Sequence, residues 1–352
     1  MAQIRLDQAT KHFGLNTAID SLTLDVADGE FFVLLGPTGA GKTTTLRLIA
    51  GLERLDGGTI EIAGEDVHDW TSAERDVALV FQYYSLYPRY TVRQNLEFPL
   101  KSRIHNFTQT EIDAKVDKAA RTLRITHLMD RKTDRLSGGE MQRVSIGRAI
   151  VREPRAFLMD EPLSNLDAKL RESLRAELKE LQMRIKATFI FVTHDQVEAM
   201  SMGDRVGVLN QGRLVQVGTP HEIYNKPRDT FVASFVGSPT MNLMPCEVRG
   251  KNLSVLGGRL KFPGPAMKTA INLQLGVRSE DIHIGPGQPA EASIFGVENH
   301  GVEKIVTLRV GDLFLKATAP ATLKTEIDAK MKFGFDPAKL HLFDAASGIN
   351  LG

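Results

Sequence analysis

The chain has 352 residues, a length that predicts about two domains, and its 44 lysines and arginines nearly balance its 43 aspartates and glutamates. A net charge of +1 argues against a protein that binds nucleic acid through its overall charge. The single cysteine, Cys246, excludes a disulfide framework or a cysteine-built zinc site within the chain. No apolar run is long enough for a membrane-spanning helix, and the first residues lack the apolar stretch of a signal peptide. We therefore expect a cytoplasmic location and a membrane role only through a partner.

Short apolar runs alternate with helical patterns over roughly the first 235 residues. The runs that predict buried strands are Phe31–Leu35, Val77–Phe81, Ala156–Met159 and Phe189–Val192. Helices are predicted from Lys42 to about Gly51 and over Ala168–Lys186. This alternation predicts an α/β domain with a largely parallel sheet. The segment Thr108–Thr133 carries many charges of both signs, and we expect it to be a solvated helical insert.

The composition changes near Gly237-Ser238-Pro239, which predicts a boundary between a domain of residues 1–236 and a domain of residues 237–352. Beyond this point apolar runs alternate approximately with polar residues, and glycine and proline separate them, as at Gly257-Gly258. The runs are Leu253–Leu256, Leu260–Phe262, Ile271–Val277, Ile305–Val310, Leu313–Thr318 and Leu340–Phe343. The pattern predicts a small all-β barrel or sandwich.

A complete G-x-x-x-x-G-K-[ST] motif lies between the first predicted strand and the first predicted helix. It consists of Gly36, Pro37, Thr38, Gly39, Ala40, Gly41, Lys42 and Thr43. The glycines let successive N–H groups point at phosphate oxygens, and the helix N-terminus adds partial positive charge. We expect Lys42 to reach the β- and γ-phosphates and the Thr43 hydroxyl to bind Mg²⁺. An incidental glycine-rich turn is the alternative, and the motif alone does not separate kinases, GTPases, motors and transporters.

The strand predicted over Ala156–Met159 ends in two acids, Asp160 and Glu161. An acid at the end of such a strand is placed to hold Mg²⁺, which is the role expected for Asp160. Glu161 is placed to orient or deprotonate an attacking water. The alternative is a solvated acid pair at a strand end.

A further motif, Leu136-Ser137-Gly138-Gly139-Glu140, lies between these two and precedes a helical run. Taken alone it is an ordinary helix cap. Three more segments follow the order of one family together with this motif: Gln82, Ser164-Asn165-Leu166-Asp167 and Thr193-His194-Asp195. Through this order of motifs the sequence resembles the ATP-binding subunits of ABC transporters. Further segments narrow the resemblance to the maltose-type carbohydrate importers and extend it over nearly the whole chain: Phe81–Pro88, Val217–Pro220, Gly237–Pro239, Gly276–Asp281 and Leu340–Asp344. Glu140 departs from the family, in which glutamine is usual.

The resemblance implies a fold and an assembly. The fold is a P-loop ABC nucleotide-binding domain with a parallel sheet core, an antiparallel β subdomain and a helical subdomain at about residues 88–150. A small OB-like β domain follows, which in the family binds regulators. Two such chains form a head-to-tail dimer, and each ATP lies between the phosphate loop of one chain and Leu136–Glu140, the signature, of the other.

The resemblance also assigns roles to single residues. It implies that Phe13 stacks on adenine, that Thr44 joins the ATP-binding set, and that Gln82 senses Mg²⁺ and the attacking water. His194 is implied to contact the γ-phosphate, and Asp167 to bridge the two sites of the dimer. The alternatives are an edge-strand phenylalanine, a surface amide at Gln82, a structural histidine, and a helix cap at Asp167.

The implied activity is ATP hydrolysis that powers uptake of a sugar, oligosaccharide, polyol or glycerol-phosphate-like solute. The implied partners are two membrane-spanning permease subunits, which contact the Gln82 region, and a separate solute-binding protein; no nucleic acid is expected. The location would be the cytoplasmic face of the cell membrane. Tyr83, Tyr84, Tyr87 and Tyr90 are either a core edge or part of the groove for a permease helix. The alternative function is a soluble ABC ATPase in DNA repair or translation, against which the single cassette and the neutral charge argue.

Overall fold

The computed structural model describes residues 2–102, 106–255 and 260–351, and the chain divides into two compact units, Met1–Pro220 and His221–Gly352. The predicted run Leu253–Leu256 ends outside the described residues, and Gly257-Gly258 lies outside them. The domain boundary expected at residues 236/237 stays a prediction, whereas the compact units meet at Pro220–His221. Among the described helices, none combines the length and the apolar character that a membrane crossing requires.

The first unit, in its described residues, contains strands and helices in mixed order. The strands are β1 (Ile4–Phe13), β2 (Asn16–Val26), β3 (Phe31–Leu35), β4 (Gly57–Ile62), β5 (Glu65–Asp66), β6 (Val77–Val80), β7 (Ala156–Asp160), β8 (Thr188–Thr193), β9 (Arg205–Asn210) and β10 (Arg213–Gly218). The helices are α1 (Lys42–Ile49), α2 (Val92–Glu97), α3 (Gln109–Thr122), α4 (Gly138–Ile150), α5 (Ala168–Ile185) and α6 (Gln196–Met202).

The central sheet of this unit has the strand order β10-β9-β3-β8-β7-β6. The pairings from β9 to β6 are parallel, and β10 pairs antiparallel with β9. Every residue of β3 and β8 is buried, which explains why these strands read as continuous apolar runs. Phe189 stacks on Phe31 with ring centroids 5.4 Å apart and on Phe157 at 4.8 Å. The predicted parallel α/β core is confirmed.

A second, antiparallel sheet of order β2-β1-β4-β5 completes the β structure of this unit. Its first two strands escaped the sequence analysis because only one face is buried. Ile4 and Leu6 are buried whereas Arg5 and Asp7 are exposed, so the pattern is an alternation rather than an apolar run. The resemblance alone indicated an antiparallel subdomain.

The expectation of a solvated insert over Thr108–Thr133 is wrong in one respect. Helix α3 ends at Thr122, and one face of it is buried. Ile112, Val116 and Ala119 lie at positions i, i+4 and i+7, which places them on one side of the helix. Charged residues occupy the other side of the helix. Because they are so numerous in this segment, the apolar stripe was not recognised from the sequence.

The described part of the second unit is mainly β, with two short α-helices near its start and 3₁₀ turns at Ser279–Asp281 and Pro337–Lys339. Its elements are α7 (Pro220–Asn225), α8 (Thr230–Phe235), β11 (Asn242–Val255), β12 (Leu260–Val277), β13 (Ile282–Ile284), β14 (Ala290–Asn299), β15 (Glu303–Val310), β16 (Leu313–Pro320), β17 (Lys330–Phe335) and β18 (His341–Asp344). They form antiparallel sheets of order β11-β12-β18 and β13-β17-β14-β15-β16. The predicted small all-β, OB-like unit is confirmed.

Arg278 explains why the two short helices belong with the β unit. Its buried guanidinium donates to the carbonyl oxygens of Tyr224 and Val236 and stacks 4.0 Å from the Tyr224 ring. These contacts tie the ends of α7 and α8 to the residue that follows β12. Cys246 is buried in the core of the same unit, and burial raises the pKa of its thiol to about 11, as expected for a structural thiol.

Candidate nucleotide-binding site

Four neighbouring parallel strands end at the same edge of the central sheet, and each is followed by predicted site residues. Gly36 follows β3, His194 follows β8, Glu161 follows β7 and Gln82 follows β6 by one residue. Because the carboxyl ends of parallel strands form the ligand crevice of α/β folds, the topology brings together residues that are distant in sequence.

The phosphate loop adopts a backbone that requires glycine. Gly41 has φ of 104°, in the left-handed region, and a Cβ at Gly36 would collide with the Leu209 carbonyl oxygen. Helix α1 begins directly after Gly41, at Lys42, whose side chain is 5% exposed. The Lys42 Nζ donates to the carbonyl oxygens of Gly36 at 2.9 Å and Pro37 at 3.0 Å. Burial lowers the pKa of Lys42, and the Glu161 carboxylate opposes this shift.

Thr43 and Asp160 form a hydroxyl–carboxylate pair beside the loop. The Thr43 hydroxyl donates to Asp160 Oδ1 at 2.9 Å. Burial raises the pKa of Asp160, and the hydrogen bond from Thr43 opposes the shift. An oxygen pair of this kind next to a phosphate cradle fits Mg²⁺, which takes few protein ligands and completes its shell with phosphates and water. The described residues contain no group of three or more His, Cys, Asp or Glu that could hold a metal ion.

Glu161 lies between the lysine and the histidine. Its Oε1 is 3.6 Å from Lys42 Nζ, and its Oε2 is 2.9 Å from His194 Nδ1. The backbone at His194 is fixed by Thr193, whose hydroxyl donates to the buried Glu198 at 2.5 Å and accepts from the Asp195 N–H at 2.9 Å. The arrangement therefore holds one carboxylate between a cation and an imidazole at the mouth of the phosphate loop.

These groups line a cleft of about 870 Å³. The predicted residues that line it are Phe13, Thr38, Gly39, Gly41, Lys42, Thr43, Thr44, Gln82, Glu161 and His194. Phe13 is 46% exposed at the end of β1, available for stacking. The sequence analysis missed the other lining residues, which are Asn16, Thr17, Ala18 and Gln211. The first three lie in the β1–β2 hairpin. The alternation of buried and exposed residues along β1 was the pattern from which this hairpin could have been predicted.

Gln82 is held by the loop that follows β7. Its Nε2 donates to the Ser164 hydroxyl at 3.3 Å, and its carbonyl oxygen accepts from Asn165 Nδ2 at 3.0 Å. The Gln82 side chain is thus bonded to the loop that follows β7. Its role as a metal sensor stays a prediction. Asp167 in the same loop caps α5 by accepting from the Leu170 N–H at 2.9 Å, so the helix-cap interpretation is confirmed and the bridging role stays a prediction.

The signature residues form the N-terminus of α4. Ser137 is the N-cap, and Glu140 completes a capping box in which its Oε2 accepts from Ser137 N–H at 2.7 Å and Ser137 Oγ at 2.8 Å. Of Leu136–Glu140, all described, none lines the cleft of the same chain. The head-to-tail dimer, in which this helix end would face the nucleotide of another chain, stays a prediction.

Comparison with known proteins places this geometry in a family. Residues 19–164 match the family described as ABC transporter. The chain is 46% identical to an sn-glycerol-3-phosphate import ATP-binding protein of Cereibacter sphaeroides, with 100% of both chains covered. It is 45% identical to a trehalose/maltose import ATP-binding protein of Thermococcus litoralis and 43% identical to a sulfoquinovosyl glycerol transport ATP-binding protein of Agrobacterium fabrum, in each case over 99% of both chains.

Solved structures resemble about 62% of the chain. A dimeric ATP-binding cassette in a post-hydrolysis state bound to ADP and Pi superposes with a TM-score of 0.55 at 30% identity, covering 62% of this chain and 98% of the other. The cbiO1 protein of Clostridium perfringens, part of the ABC transporter complex cbiONQ, gives a TM-score of 0.58 at 26% identity over 62% and 89%. The chain therefore belongs to the ABC transporter family, as a nucleotide-binding ATPase subunit of the import class.

Proposed function

We propose that this chain hydrolyses MgATP as one half of a dimer that powers uptake of a carbohydrate-type solute. The observation that carries the catalytic part is the placement of Glu161 between Lys42 and His194 at the phosphate loop. Full-length similarity to sugar and glycerol-phosphate import proteins supports the direction and the solute class. This similarity favours a role in import over the alternative function, a soluble ABC ATPase in DNA repair or translation.

In this proposal each residue of the cleft has a chemical task. Lys42 and the loop N–H groups bind the phosphates, and Phe13 stacks on the base. Thr43 and Asp160 would hold Mg²⁺, with Gln82 near it, and the ion would supply charge neutralisation of the β- and γ-phosphates. Glu161 takes a proton from the attacking water, and His194 holds Glu161 and the γ-phosphate in register.

The second half of each site comes from another copy of the chain. Ser137 and the N–H groups of Gly138 and Gly139 present a helix N-terminus, which stabilises negative charge. A two-fold dimer gives two equal sites, each closed by the signature of the other chain. We propose a homodimer that closes on ATP and opens after hydrolysis, because ATP and ADP differ in affinity for the two states.

The membrane partners would dock beside the Gln82 region at the cytoplasmic face of the membrane. A groove of about 610 Å³ there includes Leu52, 51% exposed, and Phe81, 42% exposed. Tyr87 and Phe98 pack nearby with ring centroids 4.3 Å apart. Exposed apolar side chains around a groove suit the apolar face of a partner helix, which is how we propose the two permease subunits engage.

The test of this proposal is recovery of membrane partners from the native host. The tagged chain is expected to co-purify from gently solubilised membranes with two polytopic membrane proteins. Leu52→Arg places a charge in the groove and is expected to lose both partners while keeping ATP binding. Val302→Arg, at a 91% exposed position of the second unit, is the matched control and is expected to keep them. Recovery of ribosomes or DNA instead would overturn the transport proposal.

The signature carboxylate gives a separate prediction. The hydrogen bonds from Ser137 lower the pKa of Glu140, so its negative charge stays at neutral pH and opposes a phosphate arriving from the other chain. Glu140→Gln keeps the acceptor oxygen and removes the charge. We expect the ATP concentration for half-maximal dimer closure to fall by about three- to tenfold, from Coulomb energies at an intermediate effective dielectric. Light scattering during ATP titration measures it.

The chain offers a matched control for this substitution. Glu111 closes the same capping box at the start of α3, accepting from Thr108 N–H at 2.7 Å and Thr108 Oγ1 at 2.8 Å. Glu111→Gln removes an equivalent charge from a helix that is not expected to meet nucleotide, and its ATP dependence should match the unaltered protein. Equal behaviour of Glu140→Gln and Glu111→Gln would contradict the electrostatic effect.

A further inference from the structure

The first unit has a further cavity, of about 550 Å³, beside the start of β7, at the opposite end of this strand from the catalytic residues. It lies between α3, the turn from α4 to β7, the start of β7 and the end of α5. Its lining shares no residue with the nucleotide cleft. Phe157 stands near the amino end of β7, whereas Asp160 ends that strand at the nucleotide. The cavity is therefore a separate site, in the size range of small-molecule pockets.

The inner part of this cavity is apolar. Ala119, Val151, Phe157 and Ala187 are buried, and Ile185 is half-buried. These side chains come from three different elements, so the apolar surface is concave rather than a single helix stripe. A hydrocarbon group seated there would be removed from water, which is favourable in proportion to the apolar area covered.

The rim of the cavity is cationic. Lys115, Lys118, Arg155 and Arg184 line it, and Glu153 is its one acidic member among the described residues. The lining itself carries 4 − 1 = +3, and the acids that pair with Arg155 and Arg184, Glu65 and Glu180, lie outside it. The cations therefore border an apolar floor, to which Thr122 adds a hydroxyl.

Arg155 is paired with an acid outside the lining, its Nη1 3.0 Å from Glu65 Oε2, so the cations that can meet a further anion are Lys115, Lys118 and Arg184. Glu153 is shared, with Oε2 2.6 Å from Lys115 Nζ and Oε1 2.9 Å from Lys118 Nζ. The Lys118 side chain is 72% exposed, so its ammonium group can donate a hydrogen bond to a second anionic partner. Arg184 pairs with Glu180 one helical turn away in an exposed ion pair, a weak interaction that an incoming anion can replace.

We propose that this cavity binds an amphiphilic anion, with a carboxylate or phosphate headgroup at the lysine and arginine rim and an apolar chain against the Phe157 floor. A neutral hydrocarbon would leave the rim unpaired, and a sugar phosphate would leave the apolar floor uncovered. The occupant would touch both α3 and β7 and so join the helical segment to the central sheet. The proposal does not depend on the transport function.

The test measures binding of decanoate to the full chain by isothermal titration calorimetry. One saturable site is expected, and neutral decanol and inorganic phosphate should each bind at least about tenfold more weakly, because each lacks one half of the recognition. Arg184→Ala is expected to weaken decanoate binding by about tenfold. Thr122→Phe, which fills the cavity from α3, is expected to remove it. The melting temperature of each variant checks folding.

Arg121→Ala is the control for Arg184→Ala, because Arg121 is an exposed arginine of α3 that does not line the cavity. Its decanoate affinity should equal that of the unaltered chain. Absence of saturable decanoate binding would overturn the proposal. Decanoate affinity that is unchanged in both Arg184→Ala and Thr122→Phe would place the ligand elsewhere and also overturn it, as would decanol binding as tight as decanoate binding.

Discussion

Replacing Glu161 by glutamine is expected to abolish ATP turnover while ATP stays bound and the dimer stays closed. The carboxylate lies 3.6 Å from Lys42 Nζ and 2.9 Å from His194 Nδ1, and an amide of the same shape fits the same space. The amide cannot take a proton from water, so we expect the rate of phosphate release to fall by about 10²–10⁴-fold, the usual contribution of a general base. Gel filtration with ATP should show a stable dimer.

Two variants control this result. Glu172→Gln makes the same change at an exposed position of α5 and should hydrolyse ATP normally. Ser137→Arg, combined with Glu161→Gln, obstructs the end of α4 that would face the nucleotide of the other chain, so each chain should bind ATP and remain a monomer. Hydrolysis by Glu161→Gln at the unaltered rate would refute its role as the base, and dimers of the double variant would refute the shared site.

The catalytic edge of the sheet was predictable because its information is local. Each of the strands β3, β7 and β8 is a short apolar run with functional residues at or directly after its end, as with Asp160 at the end of β7 and Glu161 after it. Parallel pairing then places the strand ends together by topology alone. The order of the motifs indicated the family, and the family resemblance in turn predicted the fold.

The features that escaped prediction depend on contacts between distant segments. Asn16 and Gln211 reach the cleft from separate hairpins, and neither has a motif of its own. The direction of the Gln82 amide depends on the Ser164 hydroxyl, a partner far along the chain. The buried stripe of α3 was hidden by the charges on its outer face. Each of these features depends on a contact between residues that are far apart in sequence. A local sequence pattern describes only one of the two contacting segments.

Lys42→Ala is expected to lower ATP affinity by about 100-fold or more. The ammonium is buried, and it is held in the loop by the carbonyl oxygens of Gly36 and Pro37. Truncating one partner of a buried, hydrogen-bonded charge pair costs about 2–5 kcal/mol, and the phosphates would be the partner left without a cation. Equilibrium binding of a fluorescent ATP analogue measures the loss. Lys101→Ala, at a side chain 52% exposed, is the control and should bind normally.

The two substitutions together separate ATP binding from hydrolysis, although Lys42 and Glu161 form an ion pair with each other. If Glu161 is the base, Glu161→Gln keeps ATP and loses turnover, whereas Lys42→Ala loses both because nucleotide no longer binds. If Glu161 serves only to hold Lys42 in place, its replacement would weaken ATP binding in the same way as the loss of the lysine, since the 3.6 Å ion pair is broken in either variant. Unaltered ATP binding by Lys42→Ala would refute the phosphate-loop assignment itself.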